Sequence, residues 1–460
     1  MWRSGARGVV AFGLMSVACP AFAEPGDHIR VGDAIISPSL SAGLGYHTNV
    51  YLQETDPVGA PDLTLSPRIE LSLDRPDWQL ASGLGYQLRK FIDTAPDDGI
   101  NVQNLDRFND VDANLGLNIL RRSLVGVRLA DRFQVANTPA ELGGSETSAN
   151  IVTTSNDLNG GLLFRPGSAI EIGALGQFGF DHYRVPDSFL GSTNALNYND
   201  RSTYGPTLQA QWTFLPKTSV QVAGSMVWNR WRNNLIAASG PEIEGLDYGD
   251  FLGKPDSSGW RAMAGLKGQV TQKVSAELSF GYGQLRYDEQ SVIDAGAALS
   301  IPTSSSELDL ASASPDAENF ARDLTSFGEG SLALVQFAYV PLKGHALNLG
   351  YKKDYQDAFF TNYVTFHYVY LWYQGTLLNK LKLSPEVGLR MDHFHGEVSR
   401  ADRNLVLKGQ AAYAFSKFLS ANAGIGWNER ACGASDCSNG AFEPTEYDDV
   451  YGTLGVTLTW

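Results

Sequence analysis

Leu454-Gly455-Val456-Thr457-Leu458-Thr459-Trp460 closes the chain, and its reading decides the fold. Leu454, Val456, Leu458 and Trp460 share one side of an extended strand, and Gly455, Thr457 and Thr459 share the other. A helix would scatter both sets around its surface. The same period of two runs through a hairpin near the other end. Leu63, Leu65, Pro67, Ile69, Leu71 and Leu73 alternate with Thr64, Ser66, Arg68, Glu70 and Ser72. Asp74-Arg75-Pro76-Asp77 has the chemistry of a tight turn. Trp78, Leu80, Leu84, Tyr86 and Leu88 then alternate with Gln79, Ala81, Gly83, Gly85, Gln87 and Arg89.

The unit of strand, short turn, strand and longer polar segment recurs along the chain. Further short turns are read at Arg121-Arg122-Ser123, Pro166-Gly167-Ser168, Pro216-Lys217-Thr218 and Thr271-Gln272-Lys273. Pro341-Leu342-Lys343-Gly344, Asn379-Lys380 and Ser416-Lys417 complete the set. Each turn joins two strands, and one more strand stands at each end, so the pattern predicts about 18 strands. The longest connections run over residues 232–257 and 288–322; the second holds Ser304-Ser305-Ser306 with many Ala and Asp and is expected to be mobile. Mean hydropathy is −0.17, and the chain is 43% hydrophobic. After residue 23 no run approaches the roughly 20 apolar residues that a spanning helix needs. A barrel reconciles these values with a membrane, because only every second residue faces lipid. The expected class is therefore all-β: a transmembrane antiparallel up-and-down β-barrel with short periplasmic turns and long extracellular loops.

The N-terminus agrees with export. Arg3 and Arg7 precede an apolar run over residues 9–17, and Ala21-Phe22-Ala23 is a small-x-small site. Residues 1–23 thus read as a signal peptide cleaved before Glu24, leaving residues 24–460 as one barrel domain. Cys19 does not make a lipoprotein signal, since Ser16 stands where Leu is wanted and Pro20 follows. Loss of Arg3 and Arg7 takes the net charge from −15 to −17. Such a surface repels nucleic acid, and acidic headgroups too unless divalent cations intervene. The terminal Leu454, Val456, Leu458 and Trp460 resemble the assembly signal of bacterial outer-membrane barrels. That resemblance implies recognition by the barrel-assembly machinery and residence among lipid and lipopolysaccharide in a Gram-negative outer membrane.

Aromatics gather near both ends of the strands. Trp78, Phe164, Trp212, Phe214, Tyr339, Phe415, Phe418 and Trp460 lie near short turns. Phe91, Phe133, Tyr183, Trp228, Trp231, Tyr287, Tyr355, Phe359, Phe360 and Trp427 lie near the long segments. Two interfacial belts are expected. The opposite parity is wet. Arg68, Glu70, Arg89, Asp112, Arg128, Arg132, Glu171, Asp181, Arg261, Lys267, Glu277, Glu329, Lys352, Lys382, Glu386, Arg390, Asp392 and Lys408 are candidate pore-lining residues. Basic side chains cost roughly 2–4 kcal/mol each at the lipid midplane and acidic ones less, whereas either can line the aqueous lumen of a wide barrel. They either handle a polar solute or pair with one another to stiffen the wall.

Gly-x-Gly recurs on this parity at Gly43/Gly45, Gly83/Gly85, Gly281/Gly283 and Gly424/Gly426. No helix start or Lys-Ser/Thr follows, so no phosphate cradle is read; these glycines are expected to ease bending and widen the bore. Asp181-His182 and His393-Phe394-His395 lie near strand ends, and two ligands do not make a metal site. No Ser or Cys nucleophile sits in a catalytic setting, so no enzyme, cofactor or metal is assigned. Cys432 and Cys437 flank a short Gly/Ser/Asp segment and are expected to form a disulfide.

Gly45-Tyr46-His47-Thr48-Asn49-Val50-Tyr51, a variable Pro/Asp loop over residues 53–62, and Leu65-Ser66-Pro67-Arg68-Ile69-Glu70-Leu71 resemble the opening of the beta-barrel porin 2 family. His47 stands where an acidic residue is commoner in that family. The resemblance covers about the first 90 residues at motif level, and the whole chain in length and strand pattern. It implies an outer-membrane exit for exopolysaccharide or capsular polysaccharide, working with a periplasmic export protein. The residues alone give a pore with a polar lumen. A diffusion porin for small polar solutes, or a structural barrel of an adhesion or motility complex, are the alternatives.

Overall fold

A computed structural model of the chain describes residues 28–50, 57–92, 107–139, 150–184, 200–231, 256–288, 328–357, 363–395, 400–432 and 446–460. The proposed signal peptide, the Tyr51 loop, Phe359, Phe360, Cys437 and nearly all of the two longest connections lie outside these residues. So do the side chains of Tyr183 and Glu329.

The strands are β1 (Ile29–Val31), β2 (Ala34–His47), β3 (Ala60–Asp74), β4 (Trp78–Phe91), β5 (Arg107–Ile119), β6 (Val125–Pro139) and β7 (Asn150–Phe164). Next come β8 (Ile170–Arg184), β9 (Arg201–Leu215), β10 (Thr218–Trp231), β11 (Ser257–Gln269), β12 (Val274–Tyr287) and β13 (Gly328–Tyr339). Then follow β14 (His345–Asp357), β15 (Tyr363–Leu377), β16 (Leu381–Leu383), β17 (Glu386–His395), β18 (Arg400–Ala414), β19 (Leu419–Cys432) and β20 (Tyr447–Thr459). From β2 onward each strand pairs antiparallel with the next, and β20 returns to β2 through Thr459↔Ser39 to Tyr451↔His47. β16 and β17 both lie between β15 and β18, so they are one strand interrupted at Ser384-Pro385, where proline cannot donate to the ladder. β1 pairs only with Ala34 to Ile36 of β2, on the stretch of edge beyond the end of β20. The wall is thus a closed, 18-stranded antiparallel barrel, as the turn pattern predicts.

All eight predicted short turns fall between strands, on one rim. At the β15–β16 turn Leu378 and Asn379 both have positive φ, 52° and 57°, and Lys380 N–H donates to the Leu377 carbonyl at 3.1 Å. That is the primed geometry whose twist matches a hairpin. Most strands run 13–15 residues, more than the roughly 9–11 a tilted crossing strand needs.

The alternation places apolar side chains on the outside. Leu454, Val456, Leu458 and Trp460 are 67%, 48%, 39% and 47% exposed and pack in register beside Leu44, Ala42 and Leu40 of β2. The short-turn belt is present: Phe164, Trp212, Phe214, Tyr339, Phe415, Phe418 and Trp460 are exposed on the outer face. The second belt needs correction. Phe91, Trp231 and Tyr287 turn inward, because parity and not height along the strand decides the face, and Tyr355 has the outward parity of Leu349 yet packs on the inner wall where the end of β14 bends over it. Tyr46, Tyr86, Phe178, Tyr204, Trp260 and Tyr282 take their place outside.

Candidate functional site

The inner face of the barrel is the candidate site. By register, the predicted pore-lining residues fall on it, with one exception. Glu329 pairs with Gln284, whose side chain accepts from the outward-facing Trp260 at 2.9 Å, so its position is an outer one. β13 counts back in steps of two from the outward Phe337 and Tyr339 to the same result.

Most of the inner charges are paired, several across an intervening strand. Arg68 Nε donates to Glu70 at 2.8 Å, and Arg68 Nη1 reaches Asp112 on β5, also at 2.8 Å. Gly85 of β4 sits in register between them. A Cβ there would lie 2.5 Å from Asp112 Oδ1 and 3.0 Å from Arg68 Nη1, so the glycine is what lets this bridge form. Glu171 accepts from Arg165 at 2.8 Å and lies 3.9 Å from Arg128. Arg132 donates to Gln134, and Asp181 holds Arg201 at 2.9 Å. Lys267 and Gln221 converge on buried Glu277 at 3.1 and 2.9 Å. Asp354 takes Lys352 at 3.1 Å and Arg261 at 3.5 Å. Arg390 holds Asp392 at 2.6 Å, and Asn404 donates to the same carboxylate. Near the β20–β2 seam His47 bonds Asp449 at 2.9 Å, and Asp62 lies 3.9 Å from both His47 and Arg89. Burying charge singly would be costly, and mutual pairing removes most of that cost. Lys382, Glu386 and Lys408 make no ion pair among the described residues; Lys382 is exposed and the other two half-buried.

The Gly-x-Gly positions do not simply widen the bore. At several of them the space is filled by a neighbouring side chain lying on the wall, while Gly43 and Gly281 meet the backbone of the next strand. Asp62 covers Gly45, Arg68 and Asn114 cover Gly83, Tyr355 covers Gly283, and Tyr451 covers Gly426.

Two features escaped the sequence reading. On β15 the outward residues are Val369 and Leu371, so Phe366, Tyr368, Tyr370 and Trp372 share the inner face. Tyr370 lies over Gly350 of β14 and Tyr368 over Gly388 of β17, the residues that flank Tyr370 in register. The second feature is the upper tip of β14–β15. β13–β14 pairing ends at Ala333↔Lys353, although both strands continue. Beyond it Tyr355 rests on the inner face of β12, its hydroxyl 2.9 Å from the Trp260 carbonyl and 3.2 Å from that of Gln284. Arg261 Nη2 donates to the Tyr355 carbonyl at 2.6 Å and stacks its guanidinium on the ring at 4.4 Å. Tyr355 and Tyr363 join inward-facing Leu285 and Leu332 in an apolar cluster. The tip therefore leans across the lumen side of β11–β13 and narrows that mouth.

His393 is exposed, and His395 stacks on Tyr363 at 4.5 Å and bonds Thr365. Among the described residues no group of three or more His, Cys, Asp or Glu is placed to hold a metal. Cys432 is disulfide-bonded, and Cys437 lies outside the described residues.

A closed wall with an apolar exterior and a polar interior defines an outer-membrane β-barrel channel. No protein-family model matches this chain. No curated protein matches it either. Among solved structures it is similar to the outer-membrane protein OpdK of Pseudomonas aeruginosa, at 8% identity and TM-score 0.42 over 92% of this chain and 99% of that one. It is similar to a BenF-like porin from Pseudomonas fluorescens Pf-5, at 9% identity and TM-score 0.44 over 94% and 100% of the two chains. A bacterial polysaccharide outer-membrane secretin aligns at 9% identity and TM-score 0.32 over 92% and 98%. At such identities and scores, none of the three bears on what this barrel carries.

Proposed function

We propose that the barrel is a conduit for a secreted polysaccharide in the outer membrane of a Gram-negative bacterium, short turns in the periplasm. The carrying observation is the inner wall, whose charges largely cancel in pairs while polar and aromatic groups remain between them. Sugars offer many hydroxyls and few charges, so they gain from weak distributed contacts and little from a strong field of one sign. The likeness of the first hairpin to the beta-barrel porin 2 family supports the same reading, with a periplasmic export protein as partner. A deletion strain should lose surface polymer or accumulate it within the envelope. Normal export together with lost uptake of a small solute would select a diffusion porin instead. That second reading draws on Lys382, Glu386 and Lys408, which leave charge available to ions in the lumen. If neither process changes and the protein co-purifies with an adhesion or motility complex, a structural barrel is the answer.

A further inference from the structure

We infer that Tyr368, Tyr370 and Trp372 form a stacking track for a neutral saccharide along the inner face of β15; this rests on the conduit reading and gives it a site. The three rings follow one another at every second residue, a run of roughly 13 Å at about 3.3 Å per residue. They are half-buried, so each has protein on one side and the lumen on the other. Gly350 and Gly388 let the tyrosines lie on the wall: a Cβ at either position would collide with Tyr370 or Tyr368. The two tyrosine rings are 5.3 Å apart at 28°, forming a nearly continuous surface. Gln336 donates to the Tyr370 hydroxyl at 2.8 Å, which leaves that hydroxyl's proton free to point elsewhere.

The ligand class follows from shape and charge. A pyranose presents an apolar face of C–H bonds that stacks on a ring, and a rim of hydroxyls that needs hydrogen-bonding neighbours. Asn348 and Glu386 flank Trp372 in register, and Lys352 and Arg390 flank Tyr368. Those cations are already held by Asp354 and Asp392. The local field is therefore close to balanced, and a carboxylate solute gains little from it. Phe366 is no part of the track, since it is buried beneath Lys352 and Arg390, whose charges lie 5.0 and 4.2 Å from its ring.

The test is equilibrium titration of the detergent-solubilised full chain with maltohexaose, cellohexaose and benzoate, read by calorimetry and tryptophan fluorescence. At least one hexasaccharide should bind. Tyr370→Leu and Trp372→Leu, which keep apolar fill against the wall, should each weaken it about tenfold or more, a change of about 1.4 kcal/mol. Tyr370→Phe, which keeps the ring, should bind within about threefold of the parent. Heat-modifiable migration on gels confirms that each variant folds. The track is refuted if neither hexasaccharide binds, if binding survives both leucine variants, or if benzoate binds more tightly through the same rings. Ring-dependent binding in a protein whose deletion leaves export intact would remove the export reading and keep the track.

Discussion

At the scale of single residues, much of the lumen wall depends on positions without a side chain. Gly85 is the clearest case, because Arg68 and Asp112 meet over it. Gly85→Val should push that pair apart and strain the β3–β5 wall, with a loss of about 1–3 kcal/mol as for overpacking elsewhere. Urea unfolding from lipid vesicles reads this loss, and an unchanged midpoint would show that the pair simply moves aside. Asp112→Asn should cost far less, under about 1 kcal/mol, because both partners are substantially exposed. Cys432 gives a second check. Alkylation without reductant should label neither Cys432 nor Cys437, and labelling of both in folded protein would reveal free thiols. Such contacts were only half legible in the sequence. Parity and chain order put Arg68 and Asp112 on one face two strands apart, but not the register that sets both beside Gly85, so pairing and solute handling stayed equally open. Parity places Glu329 correctly once it is anchored on the outward Phe337, but it fails for Tyr355, whose outward position the bent tip turns onto the inner wall.

At the scale of elements, strands and turns were legible because their chemistry is local. Every second residue changes polarity, and seven of the eight short turns carry Pro, Gly, Asn or Ser, with Thr271-Gln272-Lys273 the exception. β15 is the exception. It carries Val369 and Leu371 outward and aromatics inward, so both faces look apolar and the alternation that assigns a face is lost. The aromatic spacing of two, opposite Gly350 and Gly388, was the signal available. The β20–β2 seam gives a prediction at this scale. Leu454→Arg and Val456→Arg place charge on the outer face, where near the midplane it costs roughly 2–4 kcal/mol. Membrane-embedded, heat-modifiable protein should be lost, while Gln410→Arg on the lumen face should insert normally. Equal insertion of all three would mean that the seam does not face lipid. The β15–β16 turn offers a gain instead. Leu378 and Asn379 hold positive φ, and Leu378 is almost wholly exposed, so replacing the pair with Asn-Gly should stabilise the barrel by about 1 kcal/mol. The same urea titration measures it, and a lower midpoint would show that the leucine has a role beyond the turn.

At the scale of the whole molecule, closure was predictable from counting strands, but the shape of the passage was not. The lean of the β14–β15 tip depends on contacts between strands far apart in sequence, such as Arg261 with Tyr355. Tyr355→Ala combined with Arg261→Gln should release the tip and raise single-channel conductance in a planar bilayer; an unchanged conductance would show that the tip does not limit flow. The tip occupies one mouth only, and it brings Arg261, Lys352 and Asp354 to the narrow place. Among the described residues the tip makes that end the throat of the passage and leaves the other end the broad one. Ions that enter through the broad end are concentrated before the throat, and ions that enter through the throat are not. The current–voltage curve should then bend, so that the barrel acts electrically as a weak diode whose forward direction reports which rim faces the electrode.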